Sequence, residues 1–164
     1  MRSYSTHSAK SRASESVGPT LPLPRKADDE GTAAPLVGAP SLSIVIPTRN
    51  EAENVEALIA AICAAVPGPD KELIFVDDSD DTTPLVLRRF FPKADCPALV
   101  IHRSGEERAG GLSTAVVVGI TKSSGTYLCV MDADLQHPAS AVPLLQKRAE
   151  REDADIVVGS RFIA

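Results

Sequence analysis

The chain of 164 residues is long enough for one domain, and its 43% hydrophobic and 24% charged residues are typical of a globular protein. Its 22 acidic side chains exceed the 17 Lys and Arg residues, so the formal net charge is −5, which argues against a nucleic-acid partner because such partners need clustered positive charge. The longest apolar run, residues 57–66, is about half of a membrane span, and the sequence therefore predicts no spanning helix and no signal peptide.

The first 40 residues differ in composition from the rest. Residues 1–40 hold six Ser, five Pro and a single aromatic residue, with no hydrophobic period of 2 or 3.6. They are predicted to be a disordered tail before a folded domain at residues 41–164. The cysteines Cys63, Cys96 and Cys129 lack metal-ligand spacing and are expected to be reduced thiols of a cytoplasmic protein.

From residue 42 onward, short apolar runs alternate with segments of helical period. The predicted strands are residues 42–46, 73–76, 98–101, 127–131 and 155–158. The predicted helices that separate them are residues 51–66, 82–91, 111–122 and 138–150. Strands that are apolar on both faces and separated by helices predict an α/β fold with a mainly parallel sheet covered on two sides.

Polar residues follow every predicted strand. In a parallel sheet, ligands bind at the carboxyl ends of the strands, so these residues are the candidates for a site. The clusters are residues 47–51, residues 77–81, His102 with Arg103, residues 132–137 and residues 159–161. Any one of them could be a solvated loop with helix-capping side chains, but all five together indicate a functional edge.

The sharpest cluster is the pair Asp132 and Asp134, which flanks the small Ala133 after a buried strand. Two carboxylates at this spacing can reach one hard cation, Mg²⁺ or Mn²⁺, that keeps open positions for phosphate oxygens. Gln136 adds a neutral oxygen. The sequence therefore predicts a metal and diphosphate site.

Two further clusters point to a nucleotide. One of Asp77 and Asp78 is expected to face a nucleoside while the other caps the following turn. Gly110 and Gly111 open a predicted helix whose free N–H groups could hold an anion, although flexible turn glycines explain them equally well.

These motifs, taken in order, resemble glycosyltransferase family 2, and within it the dolichol-phosphate and polyprenol-phosphate mannosyltransferases. The matching segments lie at residues 44–55, 75–84, 110–120, 130–138 and 155–164, and together they cover residues 42–164. The resemblance implies a GT-A fold, a sugar-nucleotide donor such as GDP-mannose, and a lipid phosphate acceptor, dolichyl or polyprenyl phosphate.

The resemblance also implies residues for the nucleoside. Pro47, Arg49 and Glu51 would line the nucleotide pocket, and Val76 and Asp78 would lie against the guanosine. The position of Arg49 is often a tyrosine in the family, so base stacking is expected to differ in this chain.

A second set of residues is implied for the diphosphate. Asp132, Ala133 and Asp134 would contact diphosphate and metal, Gln136 would complete the metal shell, and Arg161 would hold the donor phosphate or sugar. Asp134 and Arg161 are the candidate catalytic residues. The loop that opens the third predicted helix often carries a lysine in the family, and this chain has none there.

The mechanism implied is inverting transfer of a hexose to a lipid phosphate. An anionic acceptor needs little help from a general base, so the main barrier is expulsion of the nucleoside diphosphate. We expect a cytoplasmic protein that works at the cytoplasmic face of the membrane, through its lipid acceptor or through segments beyond residue 164.

The same residues are compatible with other functions. A family 2 enzyme that uses a UDP-sugar and a nucleotidyltransferase share the same sheet and metal chemistry, although residues 47–51 lack the glycines of a nucleotidyltransferase. A phosphorelay receiver and a dehalogenase-like phosphatase would place their acidic residues after other strands. The chain is also expected to be an incomplete domain with an exposed sheet edge, one that binds donor but transfers sugar poorly.

Overall fold

The fold is built from alternating strands and helices along the chain. A computed structural model describes residues 5–9 and 38–160. The strands and helices are β1 Ser5–Ala9, β2 Leu42–Thr48, α1 Val55–Ala65, β3 Lys71–Asp77, α2 Thr83–Phe90, β4 Ala98–His102, α3 Gly111–Lys122, β5 Tyr127–Val130, α4 Val142–Glu152 and β6 Ile156–Ser160. Short 3₁₀ helices lie at Phe91–Lys93, Gly105–Arg108 and Ala139–Ala141.

Four of the strands form one parallel sheet in the order β4-β3-β2-β5. Ile44 of β2 pairs with Leu73 on one side and with Cys129 on the other, and Leu73 pairs in turn with Ala98 of β4. Because all four strands run the same way, the residues that follow them meet at one edge of the sheet, which we call the carboxyl edge.

Successive strand residues point to opposite faces, and each face has its own core. Ile44, Ile46, Leu73 and Phe75 pack with the buried side of α1 and with Leu87 of α2. On the other face, a smaller core holds Val45, Ile74, Val76 and Ala115 of α3. Helix α3 lies close to the sheet because Gly119 has no side chain: a Cβ there would stand 2.3 Å from Val45 Cγ1.

The predicted α/β fold, with a mainly parallel sheet and helices on both faces, is confirmed. The helix predicted from residue 51 begins at Val55, because the preceding residues form a turn in which Asn54 N donates to Glu51 O at 2.9 Å. The helix predicted from residue 138 begins as a 3₁₀ turn before α4. No helix within residues 38–160 is long and apolar enough to span a bilayer.

Strand β1 lies inside the segment predicted to be a disordered tail. Ser5–Ala9 pairs antiparallel with β6, from Ser5 opposite Ser160 to Ala9 opposite Ile156. Among the described residues β6 has no other partner strand, and its backbone groups are therefore open to pairing. The prediction of disorder is wrong for these five residues. Residues 1–4 and 10–37 lie outside the described part of the chain, and the domain boundary at residue 41 stays a prediction.

A buried ion pair stabilises the opposite, amino edge of the sheet. The side chain of Lys71 is fully buried, and its Nζ donates to Gly68 O at 2.8 Å and to the carboxylate of Asp95. Asp95 also accepts a hydrogen bond from Gly68 N at 2.7 Å. The Lys71 ammonium and then the Gly68 N–H lower the pKa of Asp95 from 3.8 to about 2. The pair thus joins the start of β3 to the loop before β4.

We expect Asp95→Asn to leave the buried Lys71 ammonium without its counter-ion and to lower the free energy of unfolding by about 2 kcal/mol. The cost lies below that of a fully buried pair because 39% of the Asp95 side chain is exposed. The pKa of Asp95 is lower in the folded state, so its contribution is present above about pH 4 and is lost as the pH falls towards 2. Urea unfolding of both proteins between pH 7 and pH 2 measures this as a shrinking difference.

The matched control is Glu56→Gln, which removes the exposed pair with Lys93, in which 63% of each side chain is exposed. Such pairs contribute little to stability. Equal losses in the two variants would contradict the assigned role of the Lys71 and Asp95 pair.

Candidate functional site

The carboxyl edge brings together four of the five clusters that the sequence singled out. The prediction is wrong for the described part of the fifth, residues 159–160, because β6 pairs with β1 and is not a strand of this sheet. Asp78 N donates to Thr48 O, and Arg103 N donates to Asp77 O, so the ends of β2, β3 and β4 continue as neighbours past the last strand residues. The residues that follow β5 lie beside them, since Met131 N donates to Val45 O. Arg161 lies outside the described residues, and its place in the site stays a prediction.

An ion pair between Asp78 and Arg103 holds the middle of this edge. Arg103 Nε donates to Asp78 Oδ1 at 2.7 Å, and Arg103 Nη2 donates to Asp78 Oδ2 at 2.5 Å. Both residues are buried: Asp78 is 8% exposed and Arg103 is 4% exposed. A bidentate pair of this kind fixes the plane of the carboxylate as well as its charge.

The same arginine also fixes the start of helix α3. Its Nη1 donates to Thr114 Oγ1 at 2.9 Å, and its Nη2 donates to Gly111 O at 3.1 Å. Gly110 and Gly111 have φ values of 86° and 57°, a conformation that favours glycine. A side chain at Gly110 would also meet Thr114 Cγ2 at 2.4 Å. The two glycines are therefore required by the turn, and Arg103 anchors the turn to β3.

Both carboxylate oxygens of Asp77 have polar partners, as those of Asp78 do, but Asp77 points to the opposite face of the sheet. It is completely buried, and its Oδ1 accepts hydrogen bonds from Ser79 Oγ at 2.5 Å and from Thr48 Oγ1 at 3.1 Å. Its Oδ2 lies 2.7 Å from His102 Nδ1. Asp77 therefore cannot face a ligand directly, and only His102, with 34% of its side chain exposed, connects it to the surface.

The residues expected to line the nucleotide pocket from β2 are placed along the same edge. Pro47 pairs in register with Val76, and Arg49 is exposed. Glu51 is partly buried: its backbone N donates to Thr83 Oγ1 at 3.0 Å, and its Oε2 accepts from Asn54 Nδ2 at 2.6 Å. Val76, by contrast, is 0% exposed and packs in the core on the α3 side of the sheet. It offers no surface to a nucleoside.

After β5 the chain alternates between core and surface. Met131 and Ala133 are buried, whereas 51% of the Asp132 side chain is exposed and Asp134 is partly buried. The alternation presents both carboxylates at the edge while the chain between them stays packed. His137 Nδ1 lies 3.5 Å from Asp132 Oδ2, and Gln136 N donates to Asp134 Oδ1 at 3.0 Å.

The donor set fits a hard divalent cation. Asp132, Asp134 and Gln136 offer only oxygen ligands from side chains, and the described residues contain no group of three His, Cys, Asp or Glu side chains that could hold an ion alone. Mg²⁺ and Mn²⁺ are commonly held by one or two carboxylates with waters and substrate phosphates completing the shell. The arrangement thus fits a metal that binds together with a diphosphate.

Sequence reasoning located Arg103 at the sheet edge but gave it no role. Its side chain donates four hydrogen bonds, to Asp78, Gly111 and Thr114. The sequence signal for this role is an arginine directly after a buried strand. Arg108 was missed in the same way. Its Nη1 donates to Asp80 Oδ1 at 2.6 Å, lowering the pKa of Asp80, and its Nη2 donates to Ser79 O at 2.9 Å.

Comparison with known proteins gives consistent matches. The family model described as "Glycosyl transferase family 2" matches residues 43–164. The chain is 42% identical over 123 residues to a dolichol-phosphate mannosyltransferase of Pyrococcus furiosus, covering 74% of this chain and 33% of that protein. It is 32% identical over 124 residues to a dolichol-phosphate mannosyltransferase of Saccharomyces cerevisiae, covering 73% and 44%.

Among solved structures, residues 1–349 of S. aureus TarS in complex with UDP match with a TM-score of 0.53 at 16% identity, covering 70% of this chain and 33% of that one. A likeness at this identity supports the fold alone. The chain spans a third to under half of the length of the two mannosyltransferases it matches.

We expect Arg103→Met to leave the carboxylate of Asp78 buried without its partner and to lower the free energy of unfolding by about 3 kcal/mol. Arg103→Lys should cost less, because the positive charge is kept and only the bidentate geometry is lost. Thermal and urea unfolding of the two variants measure the difference. A loss of under about 1 kcal/mol in Arg103→Met would contradict a central role for this pair.

Proposed function

Because the chain belongs to glycosyl transferase family 2, we propose that its carboxyl edge binds a sugar nucleotide and that the protein transfers the hexose to a lipid phosphate. Our first choice of donor is GDP-mannose and of acceptor a dolichyl or polyprenyl phosphate. The observation that carries the proposal is that one sheet edge holds both Asp78, fixed by Arg103, and the carboxylates of the exposed Asp132 and the partly buried Asp134. The names of the relatives from Pyrococcus furiosus and Saccharomyces cerevisiae support the same chemistry.

The pair of Asp78 and Arg103 would read the base. A carboxylate beside a guanidinium presents an acceptor next to a donor, and each carboxylate oxygen keeps a second lone pair when it is bound to Arg. Guanine (N1–H, O6) and uracil (N3–H, O4) present the complementary donor and acceptor, whereas adenine presents the opposite order. Only 11% of the Asp78 side chain and 5% of the Arg103 side chain are exposed, which suits contact with the edge of a flat base. Pro47, Arg49 and Glu51 would form the wall of this pocket.

The residues after β5 would hold the diphosphate. Asp132, Asp134 and Gln136 would bind Mg²⁺ or Mn²⁺, and Ala133 would let the phosphates approach the backbone closely. When bound, the metal neutralises charge that develops on the leaving diphosphate. Arg161, directly after β6, would add a positive charge to the same leaving group.

The reaction would be a single displacement. The acceptor phosphate oxygen attacks the anomeric carbon from the side opposite the nucleotide, which inverts the configuration, and the bond to the nucleoside diphosphate breaks. The acceptor is already anionic, so no general base is needed, and the protein contributes orientation and charge stabilisation. The catalytic contributions therefore fall to Asp134 and Arg161, and the reaction would take place at the membrane surface where the lipid acceptor lies.

A UDP-sugar donor is the second candidate. A relative named for another sugar, a dodecaprenyl-phosphate galacturonate synthase of Rhizobium johnstonii, is 35% identical over 122 residues, covering 73% of this chain and 36% of that protein. Uracil matches the pattern of Asp78 and Arg103 as well as guanine does. The lipid phosphate acceptor is common to both candidates, so the base and the sugar are what the experiments must separate.

Nucleotide binding should depend on a divalent cation, because a diphosphate beside two carboxylates is repelled unless a metal lies between them. We expect Mn²⁺ to raise the affinity for GDP at least tenfold in calorimetry, and Asp134→Ala to abolish this dependence. Asp80→Ala is the matched control, since Asp80 pairs with Arg108 and lies away from the metal ligands along the chain. Equal affinity with Mn²⁺ and with a chelator would refute the proposed metal site.

Base selection should follow the donor and acceptor pattern of the Asp78 and Arg103 pair. GDP and UDP should both displace a fluorescent nucleotide at concentrations at least about tenfold below ADP, since mispaired polar groups are strongly rejected in a buried site. GDP ahead of UDP favours a mannosyl donor, and the reverse order favours the UDP-sugar. Preference for ADP would contradict both forms of the proposal.

A further inference from the structure

Two rows of residues cross the carboxyl edge at successive levels. The first row consists of the last residues of three neighbouring strands, Thr48, Asp77 and His102. The second row consists of the residues that follow them directly along the chain, Arg49, Asp78 and Arg103. The second row contains the pair that would read the base, whereas the first row has no part in the proposed function.

The two rows are joined through the backbone. Asp78 N donates to Thr48 O at 2.9 Å, and Arg103 N donates to Asp77 O at 2.8 Å. Because successive strand side chains alternate, Asp77 points to the side of α1 and α2, as Phe75 does, and Asp78 points to the side of α3. A displacement of the first row therefore moves the backbone that carries the second.

Asp77 is the centre of the first row. Its side chain is completely buried, and its Oδ1 accepts hydrogen bonds from Thr48 Oγ1 at 3.1 Å and from Ser79 Oγ at 2.5 Å. Ser79 Oγ accepts in turn from Asn50 N at 2.7 Å, so the network reaches the residue that follows Arg49. Asp77 thus connects the loop after β2 to the loop after β3.

The other oxygen of Asp77 depends on His102. Asp77 Oδ2 lies 2.7 Å from His102 Nδ1, and in the described part of the chain His102 is the only basic side chain that pairs with this carboxylate. An ionised carboxylate only accepts hydrogen bonds, so Nδ1 carries the proton between them. Without this donor, a buried charge would lose the partner that offsets its desolvation.

We propose that His102 is a positioning residue for the nucleoside half of the site. By holding Asp77 it fixes the first row, and thereby the places of Asp78 and Arg103 that would read the base. The inference rests on the proposed function and gives a role to a buried carboxylate that the mechanism leaves unused. The proposed metal ligands follow β5, which lies three strands from β4, or about 14 Å, and they are independent of His102.

Three substitutions separate the two ring nitrogens of His102. His102→Asn places an amide N–H near the position of Nδ1 and can still donate to Asp77, whereas the longer side chain in His102→Gln carries its amide to the position of Nε2. His102→Leu removes both nitrogens. In calorimetry with Mn²⁺, we expect the leucine and glutamine variants to lose at least about tenfold in GDP affinity, and the asparagine variant to stay within about twofold of wild type.

Inorganic pyrophosphate with Mn²⁺ is the second probe, because it can use the metal site but has no base. All three variants should bind it within about twofold of wild type. A general loss of folded protein would lower the affinity for GDP and for pyrophosphate alike. Asp95→Asn is the matched control, since it removes an ion pair at the amino edge and should leave the ratio of the two affinities unchanged.

Several results would overturn the inference. Wild-type GDP affinity in His102→Leu would show that the pair with Asp77 is not needed, and equal losses for GDP and pyrophosphate would reduce its role to general stability. Loss in His102→Asn with retention in His102→Gln would assign His102 a direct contact through Nε2 in place of positioning. A wild-type chain that binds neither GDP nor UDP would refute the proposed function and this inference with it, whereas equal GDP binding by wild type and all three His102 variants would refute this inference alone.

Discussion

The ion pair between Asp78 and Arg103 is the interaction on which the carboxyl edge depends. It joins the end of β3 to the end of β4 and, through Gly111 O and Thr114, to the first turn of α3. A buried carboxylate and a buried guanidinium each carry a large desolvation cost, which is offset only when both are fully hydrogen-bonded. The loops at this edge are therefore held in one arrangement, because any movement of Arg103 would leave several buried polar groups without partners.

Charge is distributed unevenly along the edge. Asp77 and Asp78, at the end of β3, are buried and paired with His102 and Arg103, while Asp132, after β5, is exposed and Asp134 is partly buried. The first group thus fixes the shape of the edge, and the second retains the capacity to bind a cation. In the proposed function, a metal held by Asp132 and Asp134 would offset the repulsion between these carboxylates and a diphosphate.

Two kinds of backbone constraint accompany this arrangement. At Gly110 and Gly111 the positive φ is adopted at little cost, and the close approach of Thr114 to Gly110 requires a residue without a side chain. At Leu135 the same region of φ is adopted against the preference of the residue, next to the partly buried Asp134. The first constraint serves the fold of α3, and the second has no counterpart in the packing of either core.

The sequence by itself determined the fold class, the order of nine of the ten strands and helices, the clustering of polar residues at one sheet edge and the family. It could do so because hydrophobic period and strand-end motifs are local signals, readable within about ten residues. Only the tertiary structure decided that Asp77 and Asp78 are both enclosed, that Val76 is buried, that Arg103 and Arg108 tie the loops together, and that Ser5–Ala9 pairs with β6. These features depend on contacts between residues about 25 or more positions apart in most cases, and a side chain's partner across such a distance is set by how the strands are ordered and how the chain packs, which no local pattern records.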